Sequence, residues 1–275
     1  MPIINKHFSR WLFVFLVSVA NAKADVITDW NETAVAAGYR AKQTLVPFTR
    51  NVAMVQVAMF EAVNAITPRY KPYKLSLNPP AETSPEIAAA TAAHSILTQL
   101  YPDQANNFSA RYDEYINAVS NSAAKQNGIA FGNLVAAEMI KLRTGDGVDV
   151  TETYQPATKA GVYIPTVIPL GSTCSIVTPW ALKSVSQFRP SAPYRLSSEQ
   201  YARDLNEVQA MGGKKSTKRS DEQTTIAKFW QYTGPGTYSP IARKWAAEAK
   251  LDLVDSARVF ALFAMATADA YLAVF

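Results

Sequence analysis

The chain has 275 residues, with 27 Lys and Arg against 22 Asp and Glu, a formal net charge of +5, and one cysteine. A lone Cys174 excludes an internal disulfide framework, and two histidines, His7 and His94, are too few for a His/Cys zinc constellation. The positive surplus is small and scattered, which argues against a nucleic-acid partner.

Lys6 and Arg10 open the chain, and the apolar run Trp11–Ala20 follows. Ala20-Asn21-Ala22 and Ala22-Lys23-Ala24 place small residues at cleavage spacing. This is the pattern of a signal peptide over 1–24, with a mature start near Lys23 or Asp25 and a periplasmic or secreted protein. Removal of Lys6 and Arg10 leaves 25 basic against 22 acidic residues, and His94 as the remaining histidine.

No strict alternation reaches strand length, so the fold class is all-α, built as helical bundles. The N-terminal helical region is 25–143. Its first clear helix is Val52–Ala65, with apolar residues at spacings of three and four. Ser84-Pro85-Glu86 caps a second, Ala-rich helix over Pro85–Leu100. A third is expected over Gln104–Ser120 and a fourth over Ala123–Arg143. Residues 144–196 form a long irregular connection with six prolines, expected to wrap the helices through the anchors Tyr154, Tyr163, Trp180, Phe188 and Tyr194. A second helical region, 197–275, contains helices over Gln200–Met211, from Ser220 to Tyr232, over Pro240–Lys250, and from Val254 onward. In the last, Ala257–Phe275 is apolar but for Arg258 and Asp269. It lacks the capping Gly, Pro or basic cluster that usually closes a helix, so we expect it to need cover and to offer a route to self-association. Its charges oppose a stable membrane span.

Several local patterns carry little chemistry. Gly212-Gly213-Lys214-Lys215-Ser216-Thr217 has the wrong glycine spacing for a phosphate loop and no preceding strand. Lys214, Lys215, Lys218 and Arg219 read as a solvated loop. His94 lies on the Ala-rich helix with no nucleophile or metal partner in view, so a packing role is expected. Glu61 and Asp269 are acids on apolar helix faces. Glu61 is expected to pair with Arg40, Arg50 or Arg111, and Asp269 to find some donor.

Taken in order, Ile27-Thr28-Asp29-Trp30-Asn31, Arg50–Ala65, Tyr70-Lys71-Pro72-Tyr73 and Leu100-Tyr101-Pro102 lead to Pro179-Trp180, Gln187-Phe188-Arg189-Pro190, Ser220-Asp221-Glu222-Gln223-Thr224, Phe229-Trp230 and Ala266-Thr267-Ala268-Asp269-Ala270. This succession resembles the bacterial vanadium-dependent haloperoxidases of the type 2 phosphatidic acid phosphatase superfamily, whose phosphatase cousins bind phosphate in the same pocket. The resemblance implies a helical fold and, for a complete family member, bound vanadate acting with hydrogen peroxide on a halide, or a phosphoester as substrate. In that family the oxyanion is held by a Lys, two Arg, a Ser-Gly segment and a His. The family's lysine follows shortly after the Ala-Asp-Ala helix, so the resemblance implies that those residues fall outside this sequence and that the fold is incomplete relative to the family. Five residues separate Lys183 from Arg189 where the signature has six between them, and no His follows His94. No catalytic, metal or cofactor-binding residue carries over. The expectation is an inactive N-terminal portion of a haloperoxidase-like or acid-phosphatase-like protein, with Trp230, Tyr232 and Thr233 as a candidate pocket edge. The rival is a stand-alone exported helical binding or scaffold protein.

Overall fold

A computed structural model describes residues 25–167, 171–231 and 233–274. The expected leader, 1–24, lies outside them. The described residues hold nine α-helices and no strand: α1 (Val26–Arg40), α2 (Leu45–Ile66), α3 (Pro85–Leu100), α4 (Ala105–Asn117), α5 (Ala123–Arg143), α6 (Glu199–Met211), α7 (Asp221–Phe229), α8 (Pro235–Ala249) and α9 (Leu253–Val274).

α2 is the central rod. Residues 48 to 64 are buried without a break, the mark of a helix surrounded on all sides. α9 and α3 pack against it most extensively, then α1 and α5. α2 starts at Leu45, seven residues before the apolar periodicity becomes visible, because Pro47 is harmless in a first turn and Thr49-Arg50-Asn51 hides the pattern. Sequence reading missed α1. The Asp25 carboxylate caps it by accepting the Ile27 N–H at 3.1 Å, and Val26, Ile27, Trp30, Ala34 and Val35 form its buried side.

Ser84 caps α3 as expected, its hydroxyl accepting the Ile87 N–H. α3 and α5 approach closely because α5 presents Gly128 and Gly132. A Cβ on Gly132 would stand 2.5 Å from the Ala88 carbonyl oxygen. The third expected helix is shorter than Gln104–Ser120: a 3-10 turn over Pro102–Gln104 precedes α4, which ends at Asn117. α7 ends at Phe229, and α8 begins at Pro235 rather than Pro240. Gly234 takes φ +91° and lets Pro235 occupy the first helical position, while Pro240 sits inside the helix without an N–H to donate. α8 and α9 feed Ala246, Val254, Phe260 and Ala264 into the core that α2 organises.

The 144–196 connection is irregular apart from a 3-10 turn at Ser172–Ile176. Of its five expected aromatic anchors, Trp180 alone is buried, at 3% exposure. Tyr154, Tyr163, Phe188 and Tyr194 all point outward. The segment is held by polar clamps instead. Asp269 Oδ1 accepts the Trp180 N–H, and Oδ2 accepts the N–H groups of Ala181 and Leu182, all within 2.9 Å. The Tyr73 hydroxyl donates to the Trp180 carbonyl at 2.5 Å.

Candidate functional site

Three charged side chains converge where α2, α5 and the irregular connection meet. Asp146 Oδ2 receives Arg50 Nε and Arg143 Nη2, each at 2.7 Å. Arg50 also donates to Asn51 Oδ1 and to the Arg143 carbonyl, and Arg143 donates to the Thr178 carbonyl. The Arg143 guanidinium lies 4.3 Å from the Trp180 ring centroid, so cation–π attraction adds to the ion pair. Burial pulls the Arg143 pKa down, Asp146 opposes that shift, and Arg50 reinforces it.

Among the described residues the two buried arginines are the feature that could suggest an oxyanion cradle, and the geometry does not fit. Both guanidinium forks are turned onto Asp146 and onto backbone carbonyls. The space bordered by Arg50, Arg143, Val177, Trp180 and Leu272 has no volume that a water could occupy. Vanadate or phosphate requires fixed positive charge and free donors around an open centre. This cluster is a structural lock. Lys183 and Arg189 do not substitute for it, since both are exposed. They lie on a local turn in which the Lys183 N–H donates to Gln187 Oε1 and the Arg189 N–H to the Ser186 carbonyl.

A larger cavity, about 450 Å³, opens beside the start of α2. Val46, Pro47, Val148, Val150 and Val177 give it apolar walls. Its polar features are few. Glu152 is fixed by the Gly171 N–H at 2.8 Å and by the Ser172 hydroxyl. Cys174 lies in the wall, buried, and burial together with the Glu152 charge pushes its thiol pKa up. A protonated thiol is a poor nucleophile. Among the described residues the nearest base is Glu152, whose oxygens are engaged by the Gly171 N–H and the Ser172 hydroxyl, so the cavity is suited to holding apolar matter. The left-handed φ of Gly171 (+95°), one of five glycines in that region, is the sequence-level trace of this corner.

The residues singled out from sequence are dispersed. Trp230 is the C-cap of α7, exposed, with its ring edge-on to Phe229 at 5.1 Å. Thr233 is exposed, and neither residue lines the 450 Å³ cavity. Tyr232 lies outside the described residues. His94 stacks on Tyr112 at 4.5 Å and meets the Trp30 edge at 6.4 Å, and burial lowers its pKa. That is a packing environment. Glu61 does not pair with an arginine. Its Oε1 accepts the N–H groups of Lys74 and Leu75 at 2.8 and 2.9 Å. Arg50 is committed to Asp146, Arg111 reaches Asp29 and Glu114, and Arg40 is exposed. Among the described residues no group of three or more His, Cys, Asp and Glu side chains could hold a metal ion.

No family model matches the sequence, and no curated protein does. Among solved structures, the chain is similar to the crystal structure of the first bacterial vanadium-dependent iodoperoxidase. The TM-score is 0.72 at 19% identity, over 90% of this chain and 67% of that one. The likeness establishes an all-helical fold of the kind found in that peroxidase.

Proposed function

We propose that this chain is the N-terminal portion of an exported vanadium haloperoxidase-like or acid-phosphatase-like protein. It supplies the helical scaffold and part of a pocket wall. The 275 residues alone carry neither haloperoxidase nor phosphatase activity. The observation that carries this reading is the shared fold over 90% of the chain. The order of the sequence motifs supports it, and so does the commitment of both buried arginines to Asp146 rather than to an open oxyanion site.

The reading is tested with the purified chain, supplied with vanadate, hydrogen peroxide and iodide or bromide. The expected outcome is no halogenation of monochlorodimedone and no stoichiometric retention of vanadate or orthophosphate on dialysis. Retention of either anion at one per chain overturns the reading. Export is tested on the same material, since the mature N-terminus should be Lys23 or Asp25 by intact mass.

The apolar cavity beside α2 favours a second reading, an exported helical binding protein without catalysis. Saturable binding of a small apolar probe there, lost on Val150→Glu, in a protein that never acquires vanadate affinity in any longer form, selects it.

A further inference from the structure

Among the described residues that line the 450 Å³ cavity beside α2, Glu152 is the only charged side chain. The walls around it are aliphatic, with Thr44 and Thr173 as uncharged polar groups. The Gly171 N–H donates to Glu152 Oε2 at 2.8 Å, and the Ser172 hydroxyl donates to Oε1. These bonds fix the carboxylate without neutralising it. An ionised carboxylate has about four acceptor positions, so each oxygen keeps one after these bonds are made. No Lys or Arg among the described residues forms an ion pair with Glu152. Asp146, in the same irregular connection, is the opposite case, with two arginines on one oxygen. Burial first, and the Glu152 charge second, push up the pKa of the Cys174 thiol, so the negative field reaches the cavity wall.

An unmatched anion beside apolar walls selects its ligand by charge as well as by shape. A hydrocarbon body displaces water from the walls, and a single ammonium head donates to the open carboxylate positions. A neutral head gives up the charge-assisted bond, and an anionic head meets repulsion. Leu45, Val46 and Pro47, the first turn of α2, also line the cavity, and a helix N-terminus favours anions. That end carries about half an elementary charge against the full charge of Glu152, so the carboxylate sets the sign. The volume suits one compact aromatic or branched aliphatic molecule. We propose that this cavity binds a single small apolar amine, with its ammonium group hydrogen-bonded to Glu152 and its hydrocarbon body against the valine-lined wall. This rests on the second reading above, in which the cavity is a binding site, and names the ligand class that the site takes.

Three naphthalene probes that differ in their head groups test it: 2-(1-naphthyl)ethylamine, 2-(1-naphthyl)ethanol and 1-naphthylacetate. In calorimetric titrations of the purified chain at pH 7, the amine should bind about tenfold tighter than the alcohol or better, and the acetate should be the weakest. Cys174, the sole cysteine, reports occupancy because it lies in the cavity wall. Saturating amine should slow its alkylation by N-ethylmaleimide severalfold. Glu152→Gln should bring the amine down to the level of the alcohol, and Glu152→Asp, which keeps the charge, should retain part of the preference. Val150→Trp, at an exposed position of the wall, should abolish binding of all three probes. The comparison of probes on the parent chain decides the matter even where a variant fails to fold. Equal affinity for amine and alcohol, with Cys174 protected, overturns the amine assignment and leaves a plain apolar site. Preference for the acetate overturns it in favour of the α2 N-terminus. An amine that binds without protecting Cys174, or that binds the Val150→Trp variant equally well, sits elsewhere and also overturns it. If none of the probes binds, the proposal and the second reading fall together.

Discussion

Glu61 and Asp269 look alike in the sequence, each an acid on an apolar helix, and both need hydrogen-bond donors once buried. The structure separates them by how many oxygens they use. Glu61 takes its two closest loop N–H groups, from Lys74 and Leu75, on Oε1, with the Tyr73 N–H a weaker partner, whereas Asp269 divides three short N–H bonds between two oxygens. An amide has one acceptor oxygen. Glu61→Gln therefore keeps the two short bonds and gives up at most the weaker one from Tyr73, while Asp269→Asn turns an NH₂ toward close backbone donors in either orientation. Urea denaturation at pH 7 should show Glu61→Gln within about 1 kcal/mol of the parent and Asp269→Asn destabilised by about 2–4 kcal/mol. Burial raises the Glu61 pKa despite its N–H partners. The folded state then binds a proton more tightly than the unfolded state, so this group's contribution is full below its ordinary pKa and is lost as pH rises through the raised one. Glu61→Gln should flatten the stability profile in that window, and a parent whose stability rises with pH through Glu61 would contradict the assignment. The need for donors was legible from sequence. The identity of the donors was not, because the N–H groups belong to loops whose approach depends on tertiary packing.

At the scale of helices, legibility followed the strength of local signals. Ser84-Pro85-Glu86 marks the start of α3 without ambiguity, and α5 ends where its Thr144-Gly145 boundary suggests. α1 escaped notice because its apolar residues are interleaved with Thr28, Asp29, Asn31 and Glu32 directly after a leader-like segment. α8 was placed five residues late because Pro240 reads as a helix start, although Pro235 after Gly234 is the true one. The irregular connection was expected to hold by aromatic anchors, yet four of the five face outward and carboxylate clamps do the work. The α3–α5 contact gives a sharp test. Alanine is the better helix former by about 1 kcal/mol, so an exposed Gly→Ala change should stabilise α5. At Gly132 the new Cβ would meet the Ala88 carbonyl oxygen at 2.5 Å and Thr91 Cβ at 2.6 Å. Backbone cannot yield as a flexible side chain does, so crowding outweighs propensity. Gly132→Ala should lose about 1–3 kcal/mol in thermal or urea unfolding. Stabilisation would mean that the helices stand farther apart than described.

Across the whole molecule, stability is distributed unevenly, and the distribution follows burial. α2 is enclosed by α9, α3, α1 and α5, and α9 presents ten buried residues to that core. α6 and α7 contribute none. α9 is also long and apolar enough to cross a membrane, with 44% of its most apolar window buried inside the protein. Its partial burial against α2 and its internal acid, Asp269, make a core helix the better description, because withdrawing it into lipid would strip the 180–182 loop of its clamp. The physical consequence is a ranking of opening free energies. Amides in α2, α3 and the α2-facing part of α9 should exchange only through global unfolding. Those in α6 and α7 should exchange through local opening that costs little. Native-state hydrogen exchange of the purified chain should therefore show α6 and α7 faster than α2 by about three orders of magnitude or more, with urea accelerating α2 strongly and α6 hardly at all. Equal protection across both groups would mean that α6 and α7 are held far more firmly than their lack of buried residues implies.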